Sequence, residues 1–195
     1  LKILTTGALL ILITEPAYWM VKNHPNQSFY FSPVMGGTAG AFGRYEIDYY
    51  GTSTKQAVEW IAKAEEHNKG PVKIRMFYGE QSSIIPIIEK YPNLQHVVVR
   101  EFSPNWDYSI VLPAQAKYDD NLYKNWPPEG TVYEMKAGGG AIFAIVKNNW
   151  SLDKLQDHAI KNNDPDSYVE LSLHYINQGK HLDAISMCLK ALKVN

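Results

Sequence analysis

The sequence predicts an α/β protein: a small mixed β-sheet with flanking helices, an N-terminal apolar helix, and a C-terminal α-helical hairpin of tetratricopeptide type. Three observations lead there. β-Branched runs alternate with amphipathic stretches from residue 53 to 112, a glycine-rich turn separates two strand-like runs between 131 and 147, and from Trp150 the composition turns polar and helical. With 195 residues the chain can hide roughly 70% of its unfolded surface, enough for one domain and part of another. The boundaries expected are 1–23 for the apolar helix, 24–149 for the α/β domain and 150–195 for the helical repeat.

Residues 3 to 14 carry no charge. As twelve helical residues they reach about 18 Å, short of the roughly 30 Å hydrocarbon core, so they cannot span it alone. Extension through Pro16 to Val21 nearly completes a span, with Glu15 at a proline kink and Tyr18 and Trp19 at interfacial aromatic positions. Three readings compete: the end of a transmembrane segment, a buried core helix and a signal peptide. The first is preferred, since no small-x-small cleavage site follows, and it makes the membrane a partner.

Between His24 and Ser53 the chain is dense in aromatic residues and glycine, with Gly36, Gly37, Gly40 and Gly43 marking bends or close approaches. Arg44, Glu46 and Asp48 alternate with Tyr45, Ile47 and Tyr49, which predicts a half-buried strand. Ser53-x-x-Gln56 reads as a capping box opening an amphipathic helix over 53–68, ended by Asn68-Lys69-Gly70-Pro71. Strands follow at Val72–Tyr78, His96–Phe102 and Tyr108–Leu112, with a short helix over Ser82–Tyr91 carrying Pro86 in its first turn. The first strands should be parallel, joined by right-handed crossovers.

Residues 114–130, with Tyr118, Tyr123, Trp126 and Pro127-Pro128, suggest an ordered loop or short helix. Thr131–Lys136 and Ala141–Lys147 flank Ala137-Gly138-Gly139-Gly140, the signature of an antiparallel hairpin. After the break at Asn162-Asn163-Asp164-Pro165-Asp166, the residues Leu171, Tyr175, Gly179, Ala184, Ile185, Cys188, Ala191 and Leu192 reproduce the small-large pattern of one tetratricopeptide repeat, against the alternative of a generic helical hairpin. Such a unit normally needs neighbours to cover its face, so it is expected to meet a protein partner or a further repeat.

Much chemistry is excluded. The balance of 19 basic against 20 acidic side chains, net charge -1, leaves no footprint for nucleic acid. Neither G-x-G-x-x-G nor G-x-x-x-x-G-K-[ST] occurs. The six histidines show no ligand spacing, so no metal and no cofactor are expected. Cys188 falls at a packing position of the repeat and reads as a small core hydrophobe, and no G-x-S-x-G elbow is present. What remains as a candidate site is a polar, aromatic ledge of Arg44, Asp48, Tyr49 and Tyr50, suited to a sugar or a lipid headgroup. Glu46 and Asp48 could in principle serve as acid and base, although no residue is assigned a catalytic role. A cleft at the carboxyl ends of the strands from Val72 and His96 is a further option by fold analogy.

Taken together, Glu15-Pro16-Ala17-Tyr18-Trp19, His24-Pro25, Tyr30-Phe31-Ser32-Pro33, Gly36-Gly37, Gly40-Ala41-Phe42-Gly43-Arg44, Asp48-Tyr49-Tyr50-Gly51 and Ser53 carry a resemblance. This run resembles the segment after the last membrane helix in bacterial polytopic glycosyltransferases of the protein mannosyltransferase and aminoarabinose transferase group, with a GT-C type membrane fold. Thr131–Glu134 and Ile142–Lys147 resemble the hairpin closing that soluble region. The likeness covers roughly residues 12 to 147; Tyr50 stands where tryptophan is expected, Ser32 where asparagine is usual, and the repeat is an addition. The resemblance implies a periplasmic, non-catalytic domain of an enzyme using polyprenyl-phosphate sugars. Its catalytic acids would lie in an early loop with no counterpart here. The competing expectation is a soluble interaction scaffold built on the repeat.

Overall fold

A computed structural model of the chain describes residues 2–48, 51–77, 84–100 and 102–194. Five strands form one mixed sheet: β1 (Val72–Met76), β2 (Leu94–His96), β3 (Tyr108–Val111), β4 (Thr131–Ala137) and β5 (Gly140–Lys147), in the order β2-β1-β3-β5-β4. β1 pairs in parallel with β2 and β3, while β3–β5 and β4–β5 are antiparallel. The expected mixed sheet is present. The hairpin turn falls on Gly138 and Gly139, with φ of 55° and 80°, a conformation that glycine enters without a Cβ penalty.

The helices described are α1 (Lys2–Lys22), α2 (Gly37–Ala41), α3 (Thr54–Ala64), α4 (Ile85–Ile88), α5 (Asp120–Lys124), α6 (Leu152–Asn162), α7 (Pro165–Asn177) and α8 (His181–Val194). Helical spacing puts Ala57, Val58 and Ile61 of α3 on one buried face, which joins Ile74, Ile110, Ile142, Phe143 and Ile145 of the sheet in the main core. Trp60 of the same helix stacks on Tyr133 of β4 at 4.8 Å. The opposite sheet face carries a smaller cluster: Val111, Ala116, Leu122 and Ala144, with Phe42 and Trp126 against it. α6, α7 and α8 enclose a third cluster around Leu155, Ala159, Leu171 and Ala191, joined by Phe102 and Trp150.

Several expectations are corrected. The alternation does not make a strand over 44–48, residue 49 lying outside the described residues, because the backbone turns there: Gly43 has φ +71° and Asp48 φ +60°, both incompatible with extended pairing. Ser53 forms no capping box, since its hydroxyl donates to Asp48 and Gln56 donates to Asn26 Oδ1 instead. α3 ends at Ala64, four residues early, and the chain turns at Glu65, whose carbonyl accepts from Asn93 Nδ2. The strand expected over 96–102 lies upstream at Leu94–His96, where β1 offers partners, and Val98 beyond it is 70% exposed. The helix expected over 82–91 is one turn, Ile85–Ile88, with residues 82 and 83 outside the described residues. Cys188 is exposed on α8, contrary to its reading as a core residue.

Candidate functional site

The ledge divides on inspection. Arg44 is exposed, Asp48 is buried at 7% exposure, and Tyr49 and Tyr50 lie outside the described residues. Each Asp48 oxygen takes two donors: Oδ1 accepts from the Thr52 amide at 2.5 Å and the Thr52 hydroxyl at 2.7 Å, and Oδ2 from the Ser53 amide at 2.9 Å and the Ser53 hydroxyl at 2.5 Å. A carboxylate so engaged has no spare lone pair for proton transfer. It ties down the turn that leads into α3, ahead of the helix's first amides.

Glu46 is held in the same manner. Its Oε1 accepts from Tyr118 Oη and from Lys117 Nζ at 3.2 Å. The Tyr118 hydrogen bond, with Lys117 behind it, holds the Glu46 carboxyl below the usual carboxylate range, which suits an anchored anion and not a proton donor near neutral pH.

A serine, a histidine and an aspartate do meet, between α6 and α7. Ser167 donates to Asp164 Oδ2 at 2.5 Å and lies 2.9 Å from His158 Nδ1, while His158 stacks on Phe102 and meets Trp150 edge-on. The order is wrong for nucleophilic catalysis: serine sits between the other two, and it is fully buried. Asp164 is instead the N-cap of α7. Burial pushes its carboxyl up, and the donations from Ser167 and the Asp166 amide, with His158 nearby, together outweigh that and hold it low.

The geometry sequence reasoning missed lies on the second sheet face. There, a cleft of about 570 Å³ opens between α5 and the start of α6, with β1, β3 and β5 as its floor. Arg75 of β1 and Ser109 of β3 are register partners, and Val146 of β5 is opposite Ser109, so the three form one row across the sheet. Arg75 is 5% exposed, its guanidinium 5.4 Å from the Phe77 ring centroid and 5.3 Å from that of Trp106. Ser109 is 2% exposed, and its hydroxyl has no hydrogen-bond partner among the described residues. Asp119, on the cleft wall, caps α5 by accepting from the Asn121 and Leu122 amides. The available signal was Arg75 itself, which with Lys73 alternates with Val72, Ile74 and Met76 in β1 and, unlike Lys73, is buried.

At the other end of the molecule, α1 meets the domain through its C-terminal half, where Glu15 accepts from Tyr30 Oη at 2.6 Å. Trp19 packs against the main core and lies edge-on to Tyr30 at 5.4 Å, and Asn23 Oδ1 accepts the Gly138 amide at 2.9 Å. Further out, Leu10, Leu12 and Ile13 are 61%, 72% and 54% exposed. Among the described residues, no helix is long and apolar enough to cross a membrane. Comparison with protein-family models, with curated proteins and with solved structures found no match.

Proposed function

We propose that this chain is the non-catalytic, membrane-adjacent domain of a membrane glycosyltransferase using polyprenyl-phosphate sugars, held on the extracytoplasmic face by α1. The observation that carries the reading is the exposure of Leu10, Leu12, Ile13, Tyr18 and Val21 around α1, whose inner end is tied to the β4–β5 turn through Trp19 and Asn23. A helix with this many exposed apolar side chains gains most from contact with acyl chains or neighbouring helices. The resemblance of residues 12–147 to the segment after the last helix of such enzymes supplies the enzyme class. The domain's work is positioning: it holds the acceptor or a partner protein beside the catalytic body, with Arg44 the exposed member of the ledge among the described residues.

Flotation with vesicles of phosphatidylethanolamine and phosphatidylglycerol, with and without a polyprenyl-phosphate sugar, tests it. The chain should float with both, and Leu12→Asp with Ile13→Asp should keep it at the bottom of the gradient. Unchanged flotation of that double variant would contradict the reading.

A second reading, a protein-interaction scaffold, is favoured by α7 and α8. Leu171, Ala184 and Ala191 of the repeat pattern are buried between helices, while Ile185 and Leu192 are exposed alongside Leu182 and Leu189. That exposed row is where a following helix pair would stack in a tetratricopeptide array.

A further inference from the structure

We propose that the Pro33–Met35 turn is a second membrane-contacting element, which enters the lipid headgroup layer beside α1 with Val34 at its tip. The inference rests on the reading of α1 as lipid-facing and adds a contact made by the folded domain itself. Val34 is 94% exposed, and Pro33, Met35 and Gly36 are exposed with it. A lone exposed valine is ordinary on any protein surface. This one tops a run, Pro25 to Gly43, that contains no Asp, Glu, Lys, Arg or His, so its own loop carries no charge that must leave water with it.

The turn's place in the fold names the partner. Before it, Tyr30 donates to Glu15 Oε2 at 2.6 Å and lies edge-on to Trp19; after it, Thr38 crowds Gly138 together with Trp19. Both legs are therefore held beside the C-terminal half of α1, where the uncharged residues 3–14 give way to Glu15. With residues 3–14 among acyl chains, Glu15 and Tyr30 lie in the headgroup layer, and Val34 is at most about 14 Å of extended chain from Tyr30. The backbone suits that layer. The amides of Met35 and Gly37 donate to the Ser32 carbonyl at 2.9 and 3.1 Å, the Gly36 amide donates to that of Pro33 at 2.9 Å, and Pro33 has no amide to satisfy. A Cβ on Gly40 would come within 2.4 Å of the Met35 carbonyl oxygen, so the turn packs closely on α2 and presents Val34 from a preformed loop. Insertion then orders little that is not already ordered.

Co-sedimentation of the whole chain with phosphatidylethanolamine and phosphatidylglycerol vesicles tests this, with Ile160→Asp at an exposed site of α6 as the comparison. Val34→Asp should raise the lipid concentration needed for half-binding about tenfold, and Ile160→Asp should leave it unchanged. In a Cys188→Ser background, an environment-sensitive fluorophore on Val34→Cys should shift to the blue with vesicles, as one on Leu12→Cys does. Val34 projects from the surface, so each variant should keep the wild-type unfolding midpoint. Vesicle binding with a blue shift at position 12 but none at position 34 would overturn the proposal and leave the reading of α1 standing. Val34→Asp binding like the wild type, or Ile160→Asp weakening binding as much as Val34→Asp, would overturn it as well. A chain that does not bind vesicles at all would overturn both.

Discussion

Asp48 shows how much a single side chain can decide. It combines φ +60°, a region in which aspartate is tolerated better than most residues, with a carboxylate that gathers four donors from Thr52 and Ser53. Asp48→Ala leaves the buried Ser53 amide and hydroxyl without an acceptor, while exposed Thr52 turns to water, and we expect a loss of about 2–3 kcal/mol in denaturant unfolding. Tyr108 offers a pH signature. Burial, and then the hydrogen bond to Glu65 Oε1 at 2.5 Å, push its hydroxyl from 10.0 up to about 12. The folded state therefore holds this proton more tightly than the unfolded state does, so the stabilisation is complete below pH 10 and declines as pH rises towards 12. The stability gap between the wild type and Tyr108→Phe should narrow over that window in urea titrations and stay level below it. Asp48 was legible as a notable residue but not as a clamp, because the identity of its partners depends on a turn that alternating polarity disguised as a strand.

At the scale of elements, local chemistry was readable where one short signal decides the outcome. Gly138-Gly139 places a hairpin turn, and Asn162 to Asp166 places a helix break, with Asn163 in the left-handed region at φ 48° and Asp164 capping α7. Asp164→Ala should cost about 1 kcal/mol, the usual range for losing an N-cap being about 0.5–2 kcal/mol. Because the folded carboxyl is held low, that contribution is present above its ordinary value of 3.8 and is lost as pH falls below it. Contacts distant in sequence were not readable. Gly140 looked like part of a turn, yet a Cβ there would lie 2.5 Å from the Thr38 carbonyl carbon, so the residue is small because α2 docks against β5. Gly140→Ala should destabilise by about 1–3 kcal/mol through overpacking, seen as a lower midpoint in thermal unfolding. Gly139→Ala, whose Cβ would make an ordinary 4.0 Å contact with Ala39 Cβ, should show only the backbone strain of its φ of 80°. The site cleft was hidden for the same reason: Arg75 and Ser109 become neighbours only through strand register, 34 residues apart in the chain.

At the scale of the molecule, three apolar clusters share one sheet and its extension. The main core holds α3 and α4 to one face, the second cluster partly covers the other face, and Phe102 with Trp150 leads into α6–α8. Arg100 and Asp166 add a bidentate ion pair between the loop after β2 and α7, both contacts at 3.2 Å, but its exposure makes it a minor contributor. The α/β class was legible because amphipathic periodicity and β-branched runs are local properties. What α1 meets was not, since an apolar stretch such as residues 3 to 14 reads alike whether protein or lipid covers it. The most direct measurement uses the sole cysteine. With Cys188→Ser as background, a cysteine at Leu12 and, separately, one at exposed Ile160 of α6 are labelled with an environment-sensitive fluorophore and mixed with phosphatidylethanolamine and phosphatidylglycerol vesicles. The account predicts a blue shift at position 12 and none at position 160; no shift at position 12, or equal shifts at both, would contradict it.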